Sequence, residues 1–174
     1  MNTAFKRNLV ISFSISLLLL LASSITSYIS IRNLLESQRL VDHTNTVIIK
    51  LENAISVMKD AETGQRGYLL TGETAFLEPY TGALSKVNRL MDEIAQMTSD
   101  NPAQQEAIGQ LRNITTERYT QLQSLIDAKK LGRAIPPEDL GQGRLQMDSA
   151  RTIVQQMQGR EQVLLREPAS GTSG

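Results

Sequence analysis

The chain has 174 residues, with 18 Lys and Arg balanced by 18 Asp and Glu, and it contains no cysteine. Zero net charge argues against nucleic-acid binding, which needs a clustered basic surface. Absent cysteine excludes disulfides and thiolate metal sites. An aromatic content of 4% with no tryptophan suits a slender helical bundle better than a sandwich or barrel.

The first element is the segment Leu9 to Ile31, which carries no charge. About 20 apolar residues cross the bilayer core as a helix, so this segment is expected to be a transmembrane anchor. A cleavable signal peptide would have a shorter apolar core and small residues at its cleavage site; Ala22-Ser23-Ser24 is a weak candidate for one. Lys6 and Arg7 precede the span, and a single Arg32 follows it. The positive-inside tendency then keeps the N-terminus cytoplasmic and puts the rest of the chain outside the membrane. The expected division is residues 1–8 cytoplasmic, 9–31 transmembrane, 32–166 one extracytoplasmic domain, and 167–174 a flexible tail.

From Arg32 the spacing stays helical with no Gly or Pro until Gly64, predicting one helix from about Arg7 to Thr71. Its part beyond the membrane would extend on the order of 60 Å. Such a helix needs packing partners, because most helical stability comes from tertiary contacts. Alternating spacings of four and three select a seam of Thr44, Ile48, Leu51, Ile55, Met58, Glu62, Gln65 and Leu69. The seam turns polar at Glu62 and Gln65, with Arg66 beside them. Leu40, Val47 and Ile49 lie off this seam and suggest a homodimer.

Gly64 and Gly67 flank the polar layer. Glycine inside a helix costs about 1 kcal/mol relative to alanine, and a small side chain lets a neighbouring helix approach. Gly72 tolerates the positive φ of a helix end. Helix two is expected from about Glu73 to Thr98, with Pro79 in its first turns, where proline is tolerated, and apolar positions Leu77, Tyr80, Leu84, Val87, Met91 and Ile94. Ser99-Asp100-Asn101-Pro102 is a break followed by a helix start. Helix three runs from about Pro102 to Leu131, with the seam Ile108, Leu111, Thr115, Arg118, Leu122 and Leu125, widened by Ile114 and Tyr119. Gly132 ends it. Ala134-Ile135-Pro136-Pro137 is a connector that no helix crosses. Helix four starts near Pro137 or Glu138, with Gly141 and Gly143 as early interruptions. Its seam is Met147, Ala150, Val154, Met157, Glu161 and Leu164. Short connections make this an all-α, antiparallel up-down four-helix bundle, its long first helix continuous with the span.

The run Glu62 to Tyr80 resembles the signature of the CHASE-type extracellular sensor domain, third subtype, of bacterial sensor histidine kinases and related receptors. The residues that carry the resemblance are Glu62, Gly64, Gln65, Arg66, Gly67, Tyr68, Leu69, Leu70, Thr71, Gly72, Phe76, Leu77, Pro79 and Tyr80. A looser match lies in Met147, Asp148, Arg151, Met157, Glu161, Leu164, Leu165 and Arg166. Together they cover roughly Arg32 to Arg166. The resemblance implies a sensory input module in the bacterial inner membrane that responds to an unknown small ligand or a periplasmic partner protein. Family members continue into a second span and a transmitter. The Gly- and Ser-rich ending of this chain suggests a fragment cut before that span rather than a naturally short single-pass protein.

Three groups are candidates for chemistry. Glu62, Gln65 and Arg66, with Arg118 approaching from helix three, form a polar core that senses a stimulus or sets register and pairing. Glu161 is expected near the membrane and away from Glu62. The reversal motif Gly64, Gly67, Tyr68, Gly72, Phe76, Pro79 and Tyr80 closes the bundle tip, or its aromatic pair Tyr68 and Tyr80 borders a small-molecule pocket. Met157, Glu161 and Leu164 on helix four would transmit movement towards the membrane. His43, the single histidine, reads as a solvated surface residue. No nucleophile elbow, phosphate loop or zinc-ligand spacing is present, so no metal, cofactor or enzymatic activity is expected. The rival to the sensor is a membrane-tethered helical scaffold without signalling output.

Overall fold

The computed structural model describes residues 3–134 and 137–166, excepting the side chains of residues 3–6, 137–142 and 166. The tail expected over 167–174 and Ile135 and Pro136 of the connector lie outside the described residues. The elements are α1 (Thr3–Thr71), a short 3-10 turn (Thr74–Leu77), α2 (Ala83–Met97), α3 (Pro102–Lys130) and α4 (Pro137–Arg166). Among the described residues there is no strand. The chain divides into two compact units, residues 1–42 and 43–174.

Among the described residues the first unit lies within α1. Its side chains from Leu9 to Ile31 are exposed, including Phe13 and Leu18 to Leu20. The helix contains a stretch of mean hydropathy 2.2 with none of it buried, long and apolar enough to cross a membrane. Exposed leucine, isoleucine and phenylalanine in such a continuous run are stable only against an apolar medium.

In the second unit the apolar faces of all four helices meet in one core. α1 contributes Val47, Leu51, Ala54, Met58 and Ala61; α2 contributes Ala83, Val87, Met91 and Ile94. α3 contributes Ala107, Ile108, Leu111 and Tyr119; α4 contributes Met147, Ala150, Val154 and Met157. The expected α1 seam is corrected at alternate positions. Thr44, Leu51, Met58 and Gln65 are buried as expected, but Val47, Ala54 and Tyr68 are buried where Ile48, Ile55 and Leu69 were selected; these last three are half-buried. The reason is width. A helix that touches several neighbours buries a broader face than a two-position stripe, and small Ala54 and Ala61 occupy its centre, where neighbours approach closely. Val47 is 0% exposed, so it cannot belong to a dimer face, whereas Ile49 is exposed.

Side-chain bonds mark which helices adjoin. Lys50 pairs with Glu93 of α2, and Met58 Sδ accepts from Thr115 Oγ1 of α3 at 3.6 Å. Gln158 Nε2 of α4 donates to Glu52 Oε1 at 3.4 Å. Arg112 of α3 pairs with Asp92 of α2, and Gln105 Nε2 caps the end of α2 on the carbonyls of Ala95 and Thr98.

The helix boundaries follow local chemistry. Gly72 at φ 79 ends α1, its N–H on the Tyr68 carbonyl at 2.8 Å. Gly132 at φ 66 follows α3. Asn101 caps α3, its side chain accepting from the Gln104 N–H, with Pro102 in the first turn. Two expectations change. Helix two begins at Ala83, not near Glu73: Pro79 lacks an N–H to continue a helix, and Gly82 takes φ 74. α4 runs through Gly141 and Gly143 without interruption, because the helix around Gly143 has a packing use for a missing side chain.

Candidate functional site

The polar core predicted around Glu62 exists and joins three helices. Glu62 is nearly buried on α1. One turn on, Arg66 reaches back to it along the helix surface. From α3, Arg118 Nη2 lies 3.2 Å from Glu62 Oε1, and Arg118 Nη1 donates to Gln121 Oε1 at 2.8 Å. The side chain of Arg118 is 5% exposed and that of Arg66 is 58% exposed, so Glu62 has one buried cation and one wet one. The third helix supplies Gly143. A Cβ built there would collide with the Arg118 guanidinium, so the flat guanidinium rests against the α4 backbone. Gln65 is buried beside this layer with its Nε2 unpartnered. A groove of about 270 Å³ between α1 and α4, bordered by Lys59, Arg66, Arg144 and Arg151, leads to Glu62 from solvent.

A second polar layer was not anticipated. Glu161 of α4 is 1% exposed. Its Oε1 accepts from Gln104 Nε2 of α3 at 2.7 Å, and its Oε2 accepts from Thr44 Oγ1 of α1 at 3.5 Å. Gln104 Nε2 also donates to the Met157 carbonyl at 3.1 Å. Each layer therefore ties α1, α3 and α4 together. Between the layers the core is apolar apart from Thr115. Thr44 to Glu62 on α1 and Gly143 to Glu161 on α4 are both intervals of eighteen residues, which is five turns. Glu161 and Glu62 are thus held in separate layers, as expected. Gln104 and Gly143 were legible in principle: each continues its helix's alternating seam one step towards the N-terminus, before Ile108 and before Met147 respectively.

The reversal motif has a steric logic. Gly64 and Gly67 lie on one face of α1. A Cβ at Gly64 would strike the backbone oxygen of Phe76, and one at Gly67 would come within 2.5 Å of the Phe76 ring. The glycines thus admit the chain's own returning segment, not a neighbouring helix. Thr71 Oγ1 accepts from the Glu73 N–H at 3.1 Å and steers the exit. Gly64→Ala is therefore expected to lower stability by about 1–2 kcal/mol, because a backbone clash outweighs the roughly 1 kcal/mol gain in helix propensity. Urea unfolding of the chain in detergent micelles measures it; a gain in stability contradicts the packing described.

The aromatic pair differs from the one anticipated. Tyr80 stacks on Tyr119 of α3, with ring centroids 5.8 Å apart and planes at 28°, while Tyr68 is buried elsewhere on α1. Burial, then the Asp127 charge, raises the Tyr80 phenol above its ordinary pKa. Burial, then the neighbouring Tyr80, raises Tyr119 further, so both stay protonated donors. On α4, Met157 and Glu161 are buried, but Leu164 is 42% exposed and is not part of the core seam. His43 is half-buried. Among the described residues no group of three or more His, Asp or Glu is placed to hold a metal ion.

An apolar helix of membrane length and a helical unit whose core is crossed by two polar layers define a class: a helical module joined to a segment able to cross a membrane. The family model for the CHASE3 domain matches residues 37–170, so the chain belongs to the CHASE3 domain family. CHASE3 domains are the extracellular sensory domains of signalling receptors, and they are not catalytic domains. Searches of curated proteins and of solved structures returned no match.

Proposed function

We propose that this chain is the extracytoplasmic input module of a transmembrane receptor whose output is a histidine kinase, anchored in a bacterial inner membrane by residues 9–31. Family membership carries this reading. The four helices form an antiparallel up-down bundle. Support comes from the pairs Thr44 with Glu161 and Glu52 with Gln158, in which α4 numbers fall as α1 numbers rise. Two copies associate, with exposed Ile49 as part of the contact surface.

The mechanism is a population shift between two packings. α1 continues from residues 9–31 into the bundle, and displacement of α4 past α1 by about 1–2 Å would carry the signal. Such a shift must rearrange Glu62, Arg118 and the Gly143 backbone, because a buried ion pair tolerates few geometries. Stimulus binding, by a small molecule or a periplasmic protein, works by favouring one packing over the other.

The test joins the chain through a second transmembrane helix to a kinase transmitter and measures autophosphorylation. Arg66→Ala is the informative variant. Its exposed ion pair contributes little stability, about 0–1 kcal/mol, yet its loss leaves Glu62 with Arg118 alone. A changed basal phosphorylation at unchanged helicity supports a switching polar layer. Unchanged phosphorylation would sink that mechanism, and a chimera whose output never depends on the module would favour a tethered scaffold.

A further inference from the structure

An open cleft of about 580 Å³ lies between the start of α2 and the C-terminal half of α3, within the size range of small-molecule sites. It is distinct from the Glu62 layer. Tyr80, Leu84 and Tyr119 give it an apolar wall, and Gln123 and Asp127 give it a polar end. No lysine, arginine or histidine lines it.

The hydrogen-bond inventory of this cleft is incomplete in one place. Thr120 and Ser124 direct their hydroxyls to carbonyls of their own helix, Thr116 and Gln121. Tyr80 OH donates to Gln123 Oε1 at 2.8 Å, and Gln123 Nε2 donates to Asp127 Oδ1 at 2.9 Å. Tyr119 OH has no partner, although the residue is 4% exposed. A buried hydroxyl without a partner is unfavourable. Tyr119 lines this cleft, and an acceptor that enters it and displaces the side chains covering the hydroxyl would supply the missing partner. Asp127, at the opposite end, accepts from Gln123 and lies 4.0 Å from Lys130 Nζ, and with its side chain 53% exposed it can accept a further donor.

We propose that this cleft binds a small, planar, uncharged molecule with a hydrogen-bond acceptor for Tyr119 and a donor for Asp127, as in a primary amide. The aromatic wall receives its flat face. An anion is disfavoured because, among the described residues lining the cleft, the charged one is Asp127, whose partner Lys130 stands outside the lining. An amidinium would satisfy Asp127 but would offer Tyr119 nothing to donate to. In the sensor reading this molecule is a stimulus, or an analogue of one; that clause alone rests on the proposed function.

The experiment uses three probes of one shape: benzamide, benzamidinium and benzoate. Each is titrated into the full chain in detergent micelles while the amide resonances of Thr116, Tyr119 and Gln123 are followed by NMR. Benzamide is expected to bind saturably and to shift these resonances. Tyr119→Phe is expected to weaken it about tenfold, the worth of one hydrogen bond in a site of this kind. The same variant is expected to melt no lower than the wild type, because it removes a polar atom that has no partner. Asp127→Asn, at a half-exposed position, is expected to weaken benzamide severalfold. No benzamide shifts, equal affinity in Tyr119→Phe, or tighter binding of benzoate or benzamidinium would each overturn the assignment. The kinase chimera separates the two claims. If benzamide binds but leaves phosphorylation unchanged, the site stands and its sensory use fails. If Arg66→Ala alters output but benzamide does not bind, the sensor stands and this site fails.

Discussion

Glu62→Leu is expected to destabilise the fold by about 3–5 kcal/mol, more than Arg118→Met, although the two residues are partners. The asymmetry follows from what each substitution leaves behind. Without Glu62, the buried Arg118 retains only the Gln121 amide, and its Nε already lacks a partner. A buried charge stripped of its counter-ion costs about 3–5 kcal/mol. Without Arg118, Glu62 still holds Arg66, which reaches it from solvent, and the expected cost falls to about 2 kcal/mol. The double variant Glu62→Leu with Arg118→Met leaves neither charge stranded and should recover most of the loss, because an apolar pair can replace a buried ion pair at little cost. A double-mutant cycle by urea unfolding reads the coupling directly. Strictly additive losses would mean that the pair does not act as a unit.

Gly143 connects this result to the third helix. Helix propensity alone says that alanine there should stabilise α4. The Arg118 guanidinium lying against that backbone says the opposite. The position also shows where sequence reasoning stops. The helix count, the break at Asn101-Pro102, the glycine ends at Gly72 and Gly132 and the polar turn at Glu62 were all legible, since each is local chemistry or simple periodicity. The choice of Val47 and Ala54 over Ile48 and Ile55 was not. It depends on how many helices crowd one face, and bulk and hydrophobicity point the wrong way when space at the centre is short. Pairings across helices were legible only where a charge stood out on a seam. Arg118 reaching Glu62 could be anticipated for that reason. Gln104 falls on the continuation of the α3 seam, but a glutamine in a helix usually faces water, and its bond to Glu161 is what identifies it as a buried partner. Tyr119 escaped for a related reason: stacking on Tyr80 depends on where the α1–α2 reversal places residue 80, and the later start of α2 set that.

Gln104→Leu is expected to cost about 3 kcal/mol, the second large effect. Glu161 would lose its 2.7 Å bond while staying enclosed, with only the longer contact from Thr44 left. Hydrogen bonds to charged groups contribute about 1.5–3 kcal/mol, and an abandoned buried acceptor adds its desolvation. Glu161→Leu in the Gln104→Leu background should return much of that loss, because both partners are then apolar and the neighbouring core of Ile108 and Met157 can close over them. Thr44→Val, which removes only the 3.5 Å contact, should cost no more than about 1 kcal/mol. The ordering of these three variants tests the layer as built. If Gln104→Leu is as mild as Thr44→Val, the carboxylate is solvated rather than held by α3, and the α3–α4 tie at this level does not exist. If the order holds, α1, α3 and α4 are locked at two levels, five turns apart along α1 and α4, while α2 carries neither layer. A stimulus acting on the cleft between α2 and α3 would then reach α1 and α4 through α3, whose Tyr119 lines that cleft next in sequence to Arg118. The double variant, in which the Glu161 layer is apolar, should still fold but transmit with altered bias in the kinase chimera, because a greasy contact permits sliding that a buried hydrogen bond resists.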